Sequence, residues 1–208
     1  MNVLVAAIVG LGLVLSPWLT VPAQAGAPLE QLRSQIDRVL KIMDDPELKK
    51  DSQLKERRAA VRKVADDIFD FQETAKRSLA RHWQPRTPAE QGEFVRLFAD
   101  LLERSYISKI ELYGGEKISY LGDSMDGEQA VVRTRIITKS STEVPVDYRM
   151  LKRGDRWLVY DVIIEGVSLV ANYRTQFNKI IQTSSYAELV RKMKVKQDEF
   201  IEAATKKS

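Results

Sequence analysis

The sequence contains no cysteine and only one histidine, and these absences limit the chemistry open to the chain. Without cysteine there can be no disulfide, no thiol nucleophile and no thiolate-bound metal, so a packed core must stabilise the fold. The lone His82 stands next to Trp83 at a predicted helix end, and we interpret it as a surface or capping residue. The sequence also has no phosphate-binding loop, dinucleotide fingerprint, GxSxG or HExxH motif, which leaves no recognisable enzyme signature.

Long blocks of one charge are absent as well. The 208 residues are 44% hydrophobic and 30% charged, with a net charge of +4. Because lysine and arginine alternate with acidic residues, the sequence gives no indication of nucleic-acid binding. A net charge of this size favours solubility, and attraction to anionic membranes or acidic partners is the alternative. The composition is typical of one globular domain.

The first 25 residues carry no charged side chain. Their apolar run, residues 3–15, is shorter than the roughly 20 residues that span a bilayer. Ala23 and Ala25 form the small-x-small pattern of a signal-peptidase site, so we predict a signal peptide over residues 1–25 and a single α+β domain over residues 26–208. An uncleaved anchor is the alternative. The missing Lys or Arg near Met1 leaves open a start further upstream.

Helical periodicity appears before and after a central region of strands. It predicts helices over about residues 29–43, 52–79, 88–110, 169–182 and 186–201. Capping boxes begin two of them, with Thr87 and Ser185 as the first residues, and Ser168 can cap a third.

The central region predicts an antiparallel meander of four strands, at residues 117–125, 128–138, 143–152 and 156–164. Gly127 and Gly154 mark tight hairpin turns. A three-residue loop at 139–141 pairs the apolar faces of the middle strands and places Arg133 opposite Asp147. The last strand is apolar on both faces and is therefore expected to be covered on both. The fold class is thus α+β, with the meander packed against N- and C-terminal helices.

Two acids and an arginine, Asp161, Glu165 and Arg174, stand in the most apolar part of this region. They can be read as an acid–base pair in a small α+β pocket. They can also be read as an ion pair between Asp161 and Arg174 that fixes the last strand to the next helix. We favour the structural interpretation, because a neighbouring arginine lowers a carboxyl pKa, the wrong direction for a general acid.

The segment WLVYDVIIEGVSLVANYRTQF, residues 157–177, resembles the signature of MlaC-type periplasmic phospholipid-binding proteins, also known as toluene-tolerance auxiliary proteins. FVRLFADLLERSY at 94–106 and YGG at 113–115 fit the same family. The resemblance covers nearly all of the chain after residue 25.

The resemblance implies a carrier in the Gram-negative periplasm whose sheet and helices enclose a deep apolar cavity for phospholipid acyl chains. It implies lipid exchange with an inner-membrane ABC transporter complex bearing an MCE-domain subunit, and with an outer-membrane lipoprotein–porin complex. Such exchange helps to maintain outer-membrane lipid asymmetry. We accordingly expect a monomer that is not an enzyme, needs no cofactor or metal, binds no nucleic acid and carries phospholipid as its ligand.

The apolar face of the meander mixes small and large side chains, which can leave volume for a ligand inside a fold that is NTF2-like in part. We predict the following lipid-binding residues: Leu97, Leu101, Val132, Val144, Val146, Tyr148, Met150, Val159, Ile163 and Val167. Two other functions remain open on the residues alone. One is an NTF2-like enzyme acting on a small apolar substrate, and the other is a periplasmic adaptor with a filled core and no ligand.

Overall fold

The structure is a computed structural model that describes the backbone of residues 26–205 and the side chains of residues 26–107 and 110–197. The predicted signal peptide, residues 1–25, lies outside the described residues. The elements in chain order are α1 Ala27–Asp44, α2 Leu54–Ile68, α3 Phe71–Leu79, α4 Pro88–Glu111, β1 Lys117–Asp126, β2 Gln129–Ile137, β3 Glu143–Arg153, β4 Arg156–Ile164, β5 Val167–Ser168, α5 Leu169–Thr183 and α6 Tyr186–Thr205.

The single helix predicted over residues 52–79 is wrong, because two helices occupy this stretch. Phe69 turns to an extended conformation and forms a parallel bridge with Val159 of β4. The next amide, that of Asp70, donates to the Val159 carbonyl at 2.8 Å. The Asp70 carboxylate then accepts from the Glu73 amide at 2.9 Å and begins α3. A tertiary contact with the sheet therefore overrides the helical periodicity at this point.

The other helix starts agree with the sequence. Thr87 and Glu90 form a complete capping box, with reciprocal hydrogen bonds of 3.2 and 2.8 Å. Ser168 accepts from the Ala171 amide at 3.0 Å and caps α5. The second predicted box forms only half: Ser185 accepts from the Glu188 amide, while the Glu188 carboxylate binds Arg191 at 2.7 Å.

The strands form one antiparallel sheet in the order β1-β2-β3-β4-β5. The α+β class is confirmed, with a fifth strand of two residues added to the four predicted. The predicted register is also confirmed, because Arg133 pairs with Asp147. The Thr138 amide donates to the Thr142 carbonyl at 3.0 Å and closes the three-residue loop between β2 and β3.

One face of the sheet, the inner face, is defined by Val132, Val146 and Met150 and is covered by α1. Leu29 and Leu32 of α1 are buried against it. A separate core joins α3, α4, α5 and α6. It contains a cluster of aromatic rings whose centroids lie 5.0–6.3 Å apart: Phe94, Phe98, Tyr173, Phe177 and Tyr186.

The prediction that the last strand is covered on both faces agrees with the burial of β4, because the consecutive residues 159–162 are all buried. Its far edge is closed by β5 at one end and by the Phe69 bridge at the other. A register shift between the Arg149–Asp161 and Met150–Val159 pairs leaves Tyr160 as an extra residue in β4. The shift places Val159 and Val162 in the same core, although an unbroken strand would separate them.

Candidate functional site

The inner face brings together most of the predicted lipid-binding residues. Six of them belong to the core between the sheet and α1: Val132, Val144, Val146, Tyr148, Met150 and Val159. Val144 and Tyr148 are partly buried and the other four are buried. The alternation of β2 and β3, held in the predicted register, is what gathers these side chains on one face.

A row of paired residues crosses the whole inner face. It runs from Tyr120 through Thr134 and Val146 to Ile164, and ends at Val167 on the open edge of the sheet. Val167 is 58% exposed, so it lies at the rim of the face and not within its core. Val167, one of the predicted lipid-binding residues, therefore lies at the edge of the sheet. The other residues of the row lie further in, on the face that α1 covers.

Three hydroxyl groups interrupt the apolar character of the face. Thr134 donates to the Val146 carbonyl at 2.9 Å. Burial raises the pKa of Tyr148 to about 12, against a smaller lowering by its hydrogen bond with Thr134. Burial also raises the pKa of Tyr120 to about 12, and the guanidinium of Arg33 lies 4.6 Å from its ring centre. Both phenols are thus neutral near pH 7, so these hydroxyls add no charge to the face.

The remaining predicted contacts lie elsewhere. Ile163 pairs with Asp147 and Ser168 on the opposite face of β4, because the extra residue Tyr160 reverses the alternation of the strand. Leu97 and Leu101 of α4 pack in the helical core and not against the inner face. The structure therefore does not bring these three residues together with the other seven.

Asp161 is fixed at the start of α5. It is 3% exposed, and its carboxylate accepts hydrogen bonds from the Ser168 hydroxyl at 2.7 Å and the Val170 amide at 3.0 Å. Its cationic partner is Arg149 at 3.2 Å, so the predicted pairing with Arg174 is wrong. Arg174 instead donates to the Arg77 carbonyl at 3.0 Å. Asp161 of β4 is thus linked to the start of α5 as predicted, but through the Ser168 hydroxyl and the Val170 amide.

Glu165, the second acid of the acid–base interpretation, occupies the turn between β4 and β5. Its φ is +50°, and its amide donates to the Pro145 carbonyl at 3.0 Å. His82 is partly buried and lies 3.0 Å from the side-chain oxygen of Asn178. It lines an open cleft of about 320 Å³ between α3 and α5, away from the inner face.

The described part of the chain offers no alternative centre for metal chemistry. Among its side chains, no group of three His, Asp or Glu residues lies close enough to hold a metal ion. Within the same range, no helix combines the length and the apolar character needed to cross a bilayer.

The contributors to the face that sequence reasoning missed include Tyr120 of β1 and the two α1 leucines, Leu29 and Leu32. The periodicity of α1 shows its apolar stripe but not the element that the stripe covers. Tyr120 precedes a register shift between Tyr120 and Gly122, which has φ +127°. A glycine inside a strand pattern is the signal that could have indicated such a bulge.

Comparisons with known proteins agree with this geometry. The chain is 26% identical over 113 residues to the intermembrane phospholipid transport system binding protein MlaC of Haemophilus influenzae. That match spans 51% of this chain and 53% of the relative, so it covers about half the length of each. The relative is named as a binding protein of a transport system and not as an enzyme.

A solved structure shares the fold. It is a phospholipid-binding protein from Ralstonia solanacearum in complex with a phospholipid, superposed with a TM-score of 0.75 at 25% identity. The match covers 84% of this chain and 98% of that one. The family model described as MlaC protein matches residues 33–195, which confirms the resemblance seen in the sequence. The chain therefore belongs to the MlaC protein family.

Proposed function

We propose that this protein is a periplasmic phospholipid carrier that holds acyl chains against the inner face of its sheet. The observation that carries the proposal is a largely apolar face covered by α1, in a fold shared with a protein solved with bound phospholipid. The proposed contacts on the face are Val132, Val144, Val146, Tyr148, Met150 and Val159, with Val167 at its rim. No reaction is assigned to the chain.

The position of α1 suggests how space for a ligand arises. Leu29 and Leu32 now cover the inner face, and each is worth roughly 2 kcal/mol when fully buried. Acyl chains that displaced these leucines would restore the same kind of apolar contact with the sheet. Because α1 is a single helix next to the sheet, its displacement can leave the helical core of α3 to α6 intact.

Solvation energies determine how a carrier must load and unload. Two acyl chains contain roughly 30 methylenes, each worth about 0.8 kcal/mol when removed from water, so release into water would cost on the order of 20 kcal/mol. Transfer between two apolar environments is close to neutral. Lipid must therefore pass to its donor and acceptor in docked complexes that exclude water.

We assign those docked partners to the two envelope membranes. The proposed partners are an inner-membrane ABC transporter complex with an MCE-domain subunit and an outer-membrane lipoprotein–porin complex. Exchange between them would maintain the lipid asymmetry of the outer membrane. The proposal rests on family membership and on the name of the Haemophilus relative, which places that protein in an intermembrane transport system.

Native mass spectrometry of protein gently purified from the periplasm tests the proposal. We expect a protein mass increased by that of one or more phospholipids, identified after extraction. An unliganded mass, together with failure to take up phospholipid from vesicles of phosphatidylethanolamine and phosphatidylglycerol, would contradict the proposal. A bound small molecule that turns over during incubation would instead favour the NTF2-like enzyme.

A further inference from the structure

Gly26, the first described residue, forms a hydrogen bond with the carboxylate of Asp123. Its backbone nitrogen lies 3.1 Å from Oδ1 of Asp123, a residue 97 positions later in β1. Gly26 also begins α1, because its carbonyl accepts from the Glu30 amide at 3.1 Å. The contact therefore joins the N-terminus of α1 to the sheet.

Asp123 faces this terminus because of the bulge in β1. The register shift between Tyr120 and Gly122 reverses the alternation, so Asp123 pairs with Val132 and shares the inner face with it. In an unbroken strand the side chain of Asp123 would project from the opposite face. The bulge thus places a carboxylate on the apolar face at the N-terminus of α1, where the helix dipole favours negative charge.

The carboxylate is only half satisfied by the contact. Oδ2 of Asp123 is buried and has no hydrogen-bond partner within the described part of the chain. Buried carboxylate oxygens usually have a donor, and an unsatisfied one is unfavourable. A backbone amide at residue 26 has a single N–H to donate, and this already points to Oδ1.

The fit at residue 26 is also specific for glycine. A Cβ built on Gly26 would overlap Oδ2 and lie 2.9 Å from Cγ of Asp123. The absence of a side chain is therefore what lets the carboxylate approach the backbone nitrogen so closely. This close approach brings both carboxylate oxygens next to the atom that signal-peptidase cleavage after Ala25 would convert to an ammonium group.

We propose that the Asp123 carboxylate is the docking site of the mature α-ammonium group, which is created at Gly26 when residues 1–25 are removed. Hydrolysis of the Ala25–Gly26 peptide bond leaves a carboxylate on Ala25 and a protonated amine with three N–H donors on Gly26. The ammonium group forms a charged pair with Asp123 and has donors beyond the one now used. The negative charge of Asp123 also offsets the unfavourable placement of this ammonium group at a helix N-terminus. Processing would thus complete the contact between α1 and β1, independently of any lipid.

Thermal melting of four proteins tests this docking. One pair starts at Gly26 or at Ala25, each released from a fusion by a protease that leaves no added residue. The other pair has the same two starts with Asp123→Asn. We expect the Gly26 start to melt about 2–4 °C higher than the Ala25 start, a shift typical of one ion pair in a protein of this size. The difference should disappear with Asp123→Asn.

Two controls keep the test decisive. Asp126→Asn, a neighbouring exposed acid of β1, should leave the difference between the two starts intact. If Asp123→Asn does not fold, acetylation of the Gly26 amine replaces it and should lower the melting temperature to that of the Ala25 start. Equal melting of the two unsubstituted starts, or a difference that survives both Asp123→Asn and acetylation, would overturn the proposal. So would an intact mass showing that the exported protein begins elsewhere than Gly26.

Discussion

The Ser168 hydroxyl donates a 2.7 Å hydrogen bond to Asp161, so the cap of α5 is held by a residue in the middle of β4. Asp161 also accepts from the Val170 amide in the first turn of α5 and from Arg149 on β3. One buried carboxylate thereby joins two strands and a helix. This arrangement assigns a structural role to the most conspicuous acid in the sequence.

We expect Asp161→Ala to lower the free energy of unfolding by about 3 kcal/mol, because its donors lose their acceptor in a buried setting. Arg174→Ala is the matched control. Its side chain is exposed and makes one hydrogen bond to a carbonyl, so we expect a loss of about 1 kcal/mol or less. Urea unfolding measures both, and equal losses in the two variants would contradict the assignment of Asp161 as the anchor.

Ala80, at the end of α3, has φ +48° and ψ −120°, a conformation that favours glycine. We expect Ala80→Gly to raise the free energy of unfolding by about 1 kcal/mol through relief of this strain. Ala59→Gly, in the exposed middle of α2, should have the opposite sign and cost about 1 kcal/mol. A destabilised Ala80→Gly protein in the same denaturation series would show that the backbone here is unstrained.

Alkaline pH should reveal the buried phenols of the inner face. Burial raises the pKa values of Tyr120 and Tyr148 to about 12, whereas an exposed tyrosine ionises near pH 10. Because the unfolded chain releases these protons first, their contribution to stability is full below about pH 10 and is lost as the pH rises towards 12. When the pH is raised, the absorbance of tyrosinate should show a second increase near pH 12, and Tyr148→Phe should make this increase smaller. Ionisation of all tyrosines near pH 10 in the folded protein would contradict this.

Val167→Glu tests whether the rim of the inner face touches lipid. The side chain is exposed, so the variant should fold with an unchanged melting temperature. A carboxylate at the mouth of an acyl-chain site is disfavoured next to apolar chains and repels a phosphate headgroup. We therefore expect less phospholipid to co-purify per protein. A full lipid content, measured by extraction and mass spectrometry, would remove Val167 from the predicted site.

The strands could be predicted because their determinants are local. Gly127 and Gly154 occupy tight turns with φ +57° and +61°, and the alternation of β2 and β3 admits one register when one face is buried. Arg133 opposite Asp147 follows directly from these two constraints. The same locality explains why Thr87 and Ser168 could be identified as caps.

The sequence predictions failed where a bulge shifted the alternation of a strand, or where a contact between distant residues decided the structure. The extra residue Tyr160 moved Ile163 off the inner face, and the bulge before Gly122 moved Asp123 onto it. Asp70 ended a helix because its amide reached β4. Arg149, the partner of Asp161, is brought near by strand pairing, which residue spacing around Arg174 could not indicate.

The central claim is that phospholipid binds the inner face, and a matched pair of glutamates on the two faces of the sheet tests it most directly. Val144 is partly buried on the inner face, whereas Val131, also partly buried, lies on the opposite face and pairs with Arg149. A carboxylate among acyl chains is costly, whereas one beside Arg149 is solvated and paired. The measurement is phospholipid bound per folded protein for Val144→Glu and Val131→Glu, with circular dichroism confirming the fold of each. We predict that Val144→Glu loses most of its lipid and Val131→Glu keeps a full complement. A folded Val144→Glu protein that keeps its lipid, or equal loss in both variants, would contradict the claim.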